Sequence, residues 1–131
     1  MSFSTITQTK ILIIEDDAYM QLILSEFLNE TYKIETCDTV LDALTYLQNG
    51  NMPDLIISDL NTPQISGLEL IDQLKASDFF KSIPIIMISG DDSSDKRIKC
   101  LNSGADDYIV KPFNPAELEA RIRVVLKRNS K

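Results

Sequence analysis

Five short apolar runs set the plan of this chain: Ile11–Ile14, Ile34–Cys37, Leu55–Ser58, Ile85–Ile88 and Tyr108–Val110. Each has the length and composition of a buried β-strand. The stretches between them carry helical periodicity, so strand and helix alternate five times. That alternation predicts an α/β fold with a parallel sheet and helices on both faces. Short connections and right-handed crossovers leave a five-stranded doubly wound sheet with five helices as the simplest arrangement. No repeat, low-complexity stretch or shift of composition divides the 131 residues, so one domain over 1–131 is expected.

The helices differ in quality. Ala18–Asn29 is rich in Leu, Ile, Met and Phe, without Gly or Pro. A second helix follows Thr39 as N-cap, with Val40, Ala43, Leu44 and Leu47 as its apolar stripe and Gly50 as its stop. The third, Gly67–Ala76, presents Leu68, Ile71 and Leu74. The fourth, about Ser94–Asn102, is weak: Ile98 and Leu101 are its expected inward residues, Cys100 is ambiguous, and Gly104 closes it. So narrow a stripe predicts the most mobile helix of the five. The fifth opens with Asn114 as N-cap, Pro115 at its first position and Glu117 three beyond the cap; Leu118, Ile122, Val125 and Leu126 face inward.

Bulk properties exclude several classes of function. The chain has no histidine, which removes Ser-His-Asp and Cys-His catalysis and His-based zinc sites. A formal charge of −7 argues against sequence-independent nucleic-acid binding, so no direct nucleic-acid contact is expected. The apolar runs are far too short to span a bilayer, and Met1–Lys10 lacks the apolar core of a signal peptide. Cys37 and Cys100 read as small packing residues in a reducing, cytoplasmic compartment. Arg121, Arg123, Lys127, Arg128 and Lys131 make the end of the chain basic, which suits a helix C-terminus and also a partner or subunit contact.

Four of the five runs stop at residues that can do chemistry: Glu15-Asp16-Asp17, Asp59, Ser89 and Lys111. In an open parallel sheet the carboxyl ends of the strands share one edge, where ligands bind. Carboxylates converging there repel one another and raise their own pKa values unless a cation resolves the charge. Asp16 is the best placed of the first three to face Asp59. Oxygen donors with retained waters suit Mg²⁺ best and also admit Mn²⁺. An Asp beside such an ion can act as a nucleophile toward phosphorus and form an acyl phosphate. Asn61 can supply a backbone carbonyl to the metal, while Lys111 and Ser89 can meet phosphoryl oxygens. Gly90 leaves room for a phosphoryl group to approach, and a cis Lys111–Pro112 bond would turn the chain sharply and aim the lysine inward.

Together, Glu15-Asp16, the Asp59-xxx-Pro63-xxx-Gly67 string, Ser89-Gly90 and Lys111-Pro112-Phe113 resemble, in order and spacing, the receiver domain of two-component response regulators, over about Lys10–Lys127. The resemblance implies a flavodoxin-like fold and a phosphorylation-dependent switch. It makes Asp59 the phosphoacceptor, Asp16 the main metal carboxylate, Glu15 a second acid and Asn61 a backbone ligand. Ser89 becomes the switch hydroxyl, Lys111 the phosphate-binding lysine and Tyr108 the switch aromatic. The donor would be a phosphohistidine on a partner histidine kinase or phosphotransfer protein, in keeping with the absence of histidine here. Phosphorylation would draw Ser89 toward the new oxygens and free space for the Tyr108 ring, with the fourth helix reporting the change. The 104–108 string with Arg97, Glu117 and Arg121 resembles receivers of winged-helix regulators, which dimerise through the fourth helix, fifth strand and fifth helix. In such a homodimer Arg97 would pair with Glu117, and Arg121 with Asp107. Asn61 and Asp91 stand where the family influences the hydrolytic water, which implies a short phosphoryl lifetime.

Three other readings compete. An Asp-dependent phosphatase or phosphotransferase would use the same chemistry, but the second Asp that many carry two residues after the nucleophile is here Asn61. A nucleotide- or flavin-binding protein would need a phosphate loop that this chain lacks, and a triple acid would repel the phosphate. A phosphorylation-independent binding module would not need the complete set of site residues.

Overall fold

The computed structural model describes residues 8–129. Its elements run β1 (Lys10–Ile14), α1 (Ala18–Leu28), β2 (Lys33–Cys37), α2 (Val40–Gln48), β3 (Leu55–Asp59), α3 (Gly67–Lys75), β4 (Ile85–Ser89), α4 (Ser94–Ser103), β5 (Asp107–Val110) and α5 (Pro115–Asn129). The strands form one parallel sheet in the order β2-β1-β3-β4-β5.

Alternation along the strands divides the core in two. Leu12, Ile14, Ile56, Ile85, Met87 and Tyr108 point to the face covered by α2, α3 and α4. Ile11, Ile13, Leu55, Ile57, Ile86, Ile88 and Ile109 point to the face covered by α1 and α5, where Leu24, Leu28, Leu118, Ile122 and Val125 meet them. Burial on both faces is why these strands read as continuous apolar runs rather than alternating ones. β2 departs from this pattern. It is an edge strand, and only Ile34 and Cys37 are even half-buried, so the expectation of a buried second strand is corrected.

Each helix begins at a polar side chain that takes up an otherwise orphaned N–H. Asp17 accepts from Tyr19 and Met20, Thr39 from Asp42, Ser66 from Glu69, Ser93 from Lys96, and Asn114 from Ala116. Glu117 does not complete a capping box; its carboxylate turns to Arg121 instead. α3 buries Leu70, Ile71 and Leu74, with Leu68 only partly covered.

α4 overturns the expected burial. Ile98 is 53% exposed and Leu101 41% exposed, whereas Cys100 is fully buried. The helix is short and polar, and its rotation is fixed by its ends and by one small inward residue rather than by a stripe of large ones. Its last turn closes on Gly104 at φ 123, a conformation that favours glycine.

A polar tie crosses from the α1–β2 turn to α5. The buried Tyr32 hydroxyl donates to Glu119 Oε2 at 2.8 Å, and Arg123 Nε donates to the other oxygen at 2.8 Å. Burial, and then the hydrogen bond and charge of Glu119, push the Tyr32 phenol from 10.0 up to about 12. Tyr32→Phe is therefore expected to lower stability by about 1–2 kcal/mol near neutral pH. The folded state holds this proton more tightly than the unfolded chain. Its contribution is complete below pH 10 and is lost as pH rises through about 12. Urea unfolding of both proteins at neutral pH and near that upper value checks this, since the difference between them should shrink at the alkaline end.

Among the described residues no helix is long and apolar enough to cross a membrane. Cys37 and Cys100 are both free thiols, and burial, the leading cause, pushes Cys37 up to about 11.

Candidate functional site

The site lies at the carboxyl edge of the three central strands and β5, and its backbone is fixed before any side chain is considered. Glu15 N donates to Cys37 O at 3.0 Å, Leu60 N to Ile88 O at 2.9 Å, and Lys111 N to Ser89 O at 2.8 Å. Neighbouring strand ends are thus stapled together just where the polar residues begin. The Lys111–Pro112 peptide bond is cis, as the sequence suggested.

Glu15, Asp16 and Asp59 converge there, each offering a carboxylate oxygen within 4.8 Å of the others. Glu15 is buried, Asp59 half-buried and Asp16 exposed. Asp17 is not part of this cluster; its carboxylate caps α1. Lys111, the residue after β5, reaches in and donates to Asp59 Oδ2 at 3.0 Å and to Glu15 Oε1 at 3.4 Å. Burial pulls its ammonium down, but the hydrogen bond and charge of Asp59, then of Glu15, leave it above the ordinary lysine value. Burial first, and then the charge of Asp59, push Glu15 up against the pull of the Asp17 N–H and Lys111. One ammonium against three crowded carboxylates leaves negative charge in excess. An all-oxygen donor set with that surplus fits a hard divalent cation such as Mg²⁺.

Asn61 enters through its backbone: its N–H donates to Asp59 Oδ1 at 3.0 Å, while the residue itself is exposed. Ser89 is fully buried, and its hydroxyl oxygen accepts from Asp91 N–H at 3.0 Å. The Asp91 carboxylate faces away along the loop, accepting from Ser93 N–H at 2.9 Å, a bond that holds it below the usual carboxylate range. Gly90 stands in the open, where an added Cβ would meet nothing within 4 Å, so protein packing does not explain its lack of a side chain.

The sequence missed the close approach at Gly67. A Cβ there would lie 2.9 Å from Asp59 O, 2.9 Å from Met87 Sδ and 3.0 Å from Leu60 Cα. This residue lets α3 start against the strand end that carries Asp59. The only signal for it was the spacing of Gly67 after Asp59.

On the neighbouring face, the Tyr108 ring is already turned in and only 5% exposed, with its hydroxyl donating to Asp91 O at 2.6 Å. Arg97 holds its guanidinium carbon 5.6 Å from the ring centroid. Arg121 forks between Asp107 at 3.0 Å and Glu117 at 3.1 Å within one copy of the chain. Within the single chain Arg121 pairs with Asp107 and Arg97 sits on the Tyr108 ring, contacts that do not bear on the pairs expected across a homodimer.

An acid cluster and a lysine at the carboxyl edge of a doubly wound sheet form a site suited to phosphoryl chemistry. A family model for the response regulator receiver domain matches residues 11–123, and the chain belongs to that family. The phosphate regulon transcriptional regulatory protein PhoB of Escherichia coli K12 is 35% identical over 125 residues, covering 92% of this chain and 53% of PhoB. The chain spans about half the length of the curated relatives it matches. Among solved structures, a two-component response regulator from Clostridium difficile superposes with a TM-score of 0.86 at 29% identity, covering 95% of this chain and 100% of that one. The chemotaxis response regulator CheY4 of Vibrio cholerae gives 0.84 at 31% identity, covering 91% and 99%.

Proposed function

We propose that this receiver is a phosphorylation-dependent switch that takes a phosphoryl group onto Asp59. The observation that carries the reading is the convergence of Glu15, Asp16 and Asp59 with Lys111 donating to Asp59 at 3.0 Å. An Asp59 carboxylate oxygen attacks the phosphorus of a phosphohistidine on a partner kinase or phosphotransfer protein. The bond from phosphorus to the imidazole nitrogen breaks, and that nitrogen keeps the electron pair. The product is an acyl phosphate on Asp59 and a free donor histidine. Lys111 holds a phosphoryl oxygen and offsets part of the added charge. Asp16, Asp59, Glu15 and the backbone carbonyl of Asn61 would hold Mg²⁺, which supplies charge neutralisation at the transferring group.

Ser89 and Tyr108 pass the change outward. The buried Ser89 hydroxyl exchanges its Asp91 N–H partner for a phosphoryl oxygen, and the β4–α4 loop moves with it. α4 follows because it buries so little. The face made by α4, β5 and α5 then presents a different surface to a partner or a second copy. Beryllofluoride with Mg²⁺ tests this on amide chemical shifts. Shifts spreading from Asp59 through residues 89–103 and β5 are expected; shifts confined to residues around Asp59 would contradict switching.

Phosphoryl loss is expected to depend on Asn61, whose exposed side chain leaves the approach to Asp59 open to water. Asn61→Leu should slow loss of the label several-fold without blocking its uptake. An unchanged decay rate would remove Asn61 from this role.

A further inference from the structure

We propose that Arg97 is a positioning residue that clamps the Tyr108 ring inward and so ties α4 to the phosphorylation site before any phosphoryl group arrives. This rests on the switch reading above, which names Tyr108 but gives Arg97 no part in it.

Two contacts fix the ring from opposite ends. The hydroxyl donates to Asp91 O at 2.6 Å, two residues beyond Ser89, while the Arg97 guanidinium covers the ring at 5.6 Å from its centroid. A guanidinium within about 6 Å of an aromatic centroid is attracted by the ring quadrupole. The rest of α4 offers little to hold it. Cys100 is its one buried residue, and its largest apolar side chains, Ile98 and Leu101, are exposed. The helix also packs against α3 and β5, but with little large apolar burial, so the ring is a substantial part of its hold.

Arg97 is also left without its obvious acidic partner. Glu117 on the same face is taken by Arg121 Nε and Nη2 at 3.1 Å each, and Asp107 by Arg121 Nη1 at 3.0 Å. With both carboxylates turned to Arg121, the contact Arg97 makes is with the π-face of Tyr108. Pairing of Arg97 with an acid of another molecule would uncover the ring, so the clamp links the ring's position to what the α4–β5–α5 face is bound to. An inward ring at rest also removes part of the conformational cost of phosphorylation, because the ring need not turn in when the phosphoryl group arrives.

Arg97→Gln removes the cation, and Arg97→Lys restores one. The first readout uses fluorotyrosine-labelled protein in the absence of any phosphoryl analogue, with the Tyr108 resonance assigned from Tyr108→Phe. In Arg97→Gln that resonance is expected to move toward the position of an exposed tyrosine, and amide exchange should quicken in α4 but not in β1 or β3. Arg97→Lys should recover most of both changes. The second readout is the beryllofluoride midpoint at saturating Mg²⁺, expected to weaken about two- to fivefold in Arg97→Gln, the range that a cation–π contact at an exposed site supports. An unmoved Tyr108 resonance with unchanged α4 exchange in Arg97→Gln would overturn the clamp. So would a lysine variant that behaves like the glutamine one. Failure of the wild type to bind beryllofluoride would instead count against the switch itself, and the resonance would still decide on the clamp.

Discussion

Asp59→Asn is expected to abolish phosphoryl incorporation completely while leaving the fold intact. Asparagine has nearly the same shape, and its carbonyl can still accept from Lys111, which donates to Asp59 Oδ2 at 3.0 Å in the wild type. What it lacks is the anionic oxygen that attacks phosphorus. Its neighbours cannot substitute at the same position. Glu15 is only 3% exposed, and Asp16 projects from the loop after β1. The check is the mass of Asp59→Asn after incubation with acetyl phosphate and Mg²⁺, alongside a circular dichroism melt. No gain of mass with a native melt is the expected result. Residual labelling would move the acceptor to another acid of the cluster.

Gly67→Val is expected to cost the fold about 2–3 kcal/mol and to disturb the site as well. The added atoms would press on Asp59 O, Leu60 Cα and Met87 Sδ, all within 3.0 Å of the Cβ position. Two of these are backbone atoms of the strand end carrying the acceptor, so relief of the clash must come from moving Asp59 or the start of α3. A misplacement of that kind lowers the rate of phosphoryl uptake by about tenfold or more even where the protein remains folded. Gly90→Ala is the control for stability. Its Cβ meets nothing within 4 Å, and the change should stay within about 0.5 kcal/mol. Urea unfolding of both variants and their uptake of label from acetyl phosphate separate the two effects.

The strands were legible because a sheet covered on both faces demands apolar residues at every position, as in Ile11–Ile14 and Ile85–Ile88. Their C-terminal residues were legible as a site because parallel strands share one edge, and the structure does bring Glu15, Asp16, Asp59 and Lys111 together there. Helix starts at Thr39 and Asn114 followed from cap chemistry alone. Edge position was not legible: Ile34–Cys37 has the composition of a strand, but nothing local says that no further strand lies beside it. The rotation of α4 was hidden for a related reason. Hydropathy favours Ile98 and Leu101, whereas tertiary contacts favour the small Cys100 and the ring beneath Arg97. Asp17 looked like a member of the acid cluster, yet it spends its carboxylate on a nearby backbone N–H. Local capping competes for the same residue types that metal sites use, and spacing does not separate the two.

The most direct test of the central claim is the intact mass of the wild-type protein after acetyl phosphate treatment, once with Mg²⁺ and once with EDTA. Borohydride reduction and peptide mapping then locate the acyl phosphate. A gain of one phosphoryl group that requires Mg²⁺ and maps to Asp59 is the expected result. No gain with Mg²⁺, an equal gain in EDTA, or a label on any other residue would contradict it.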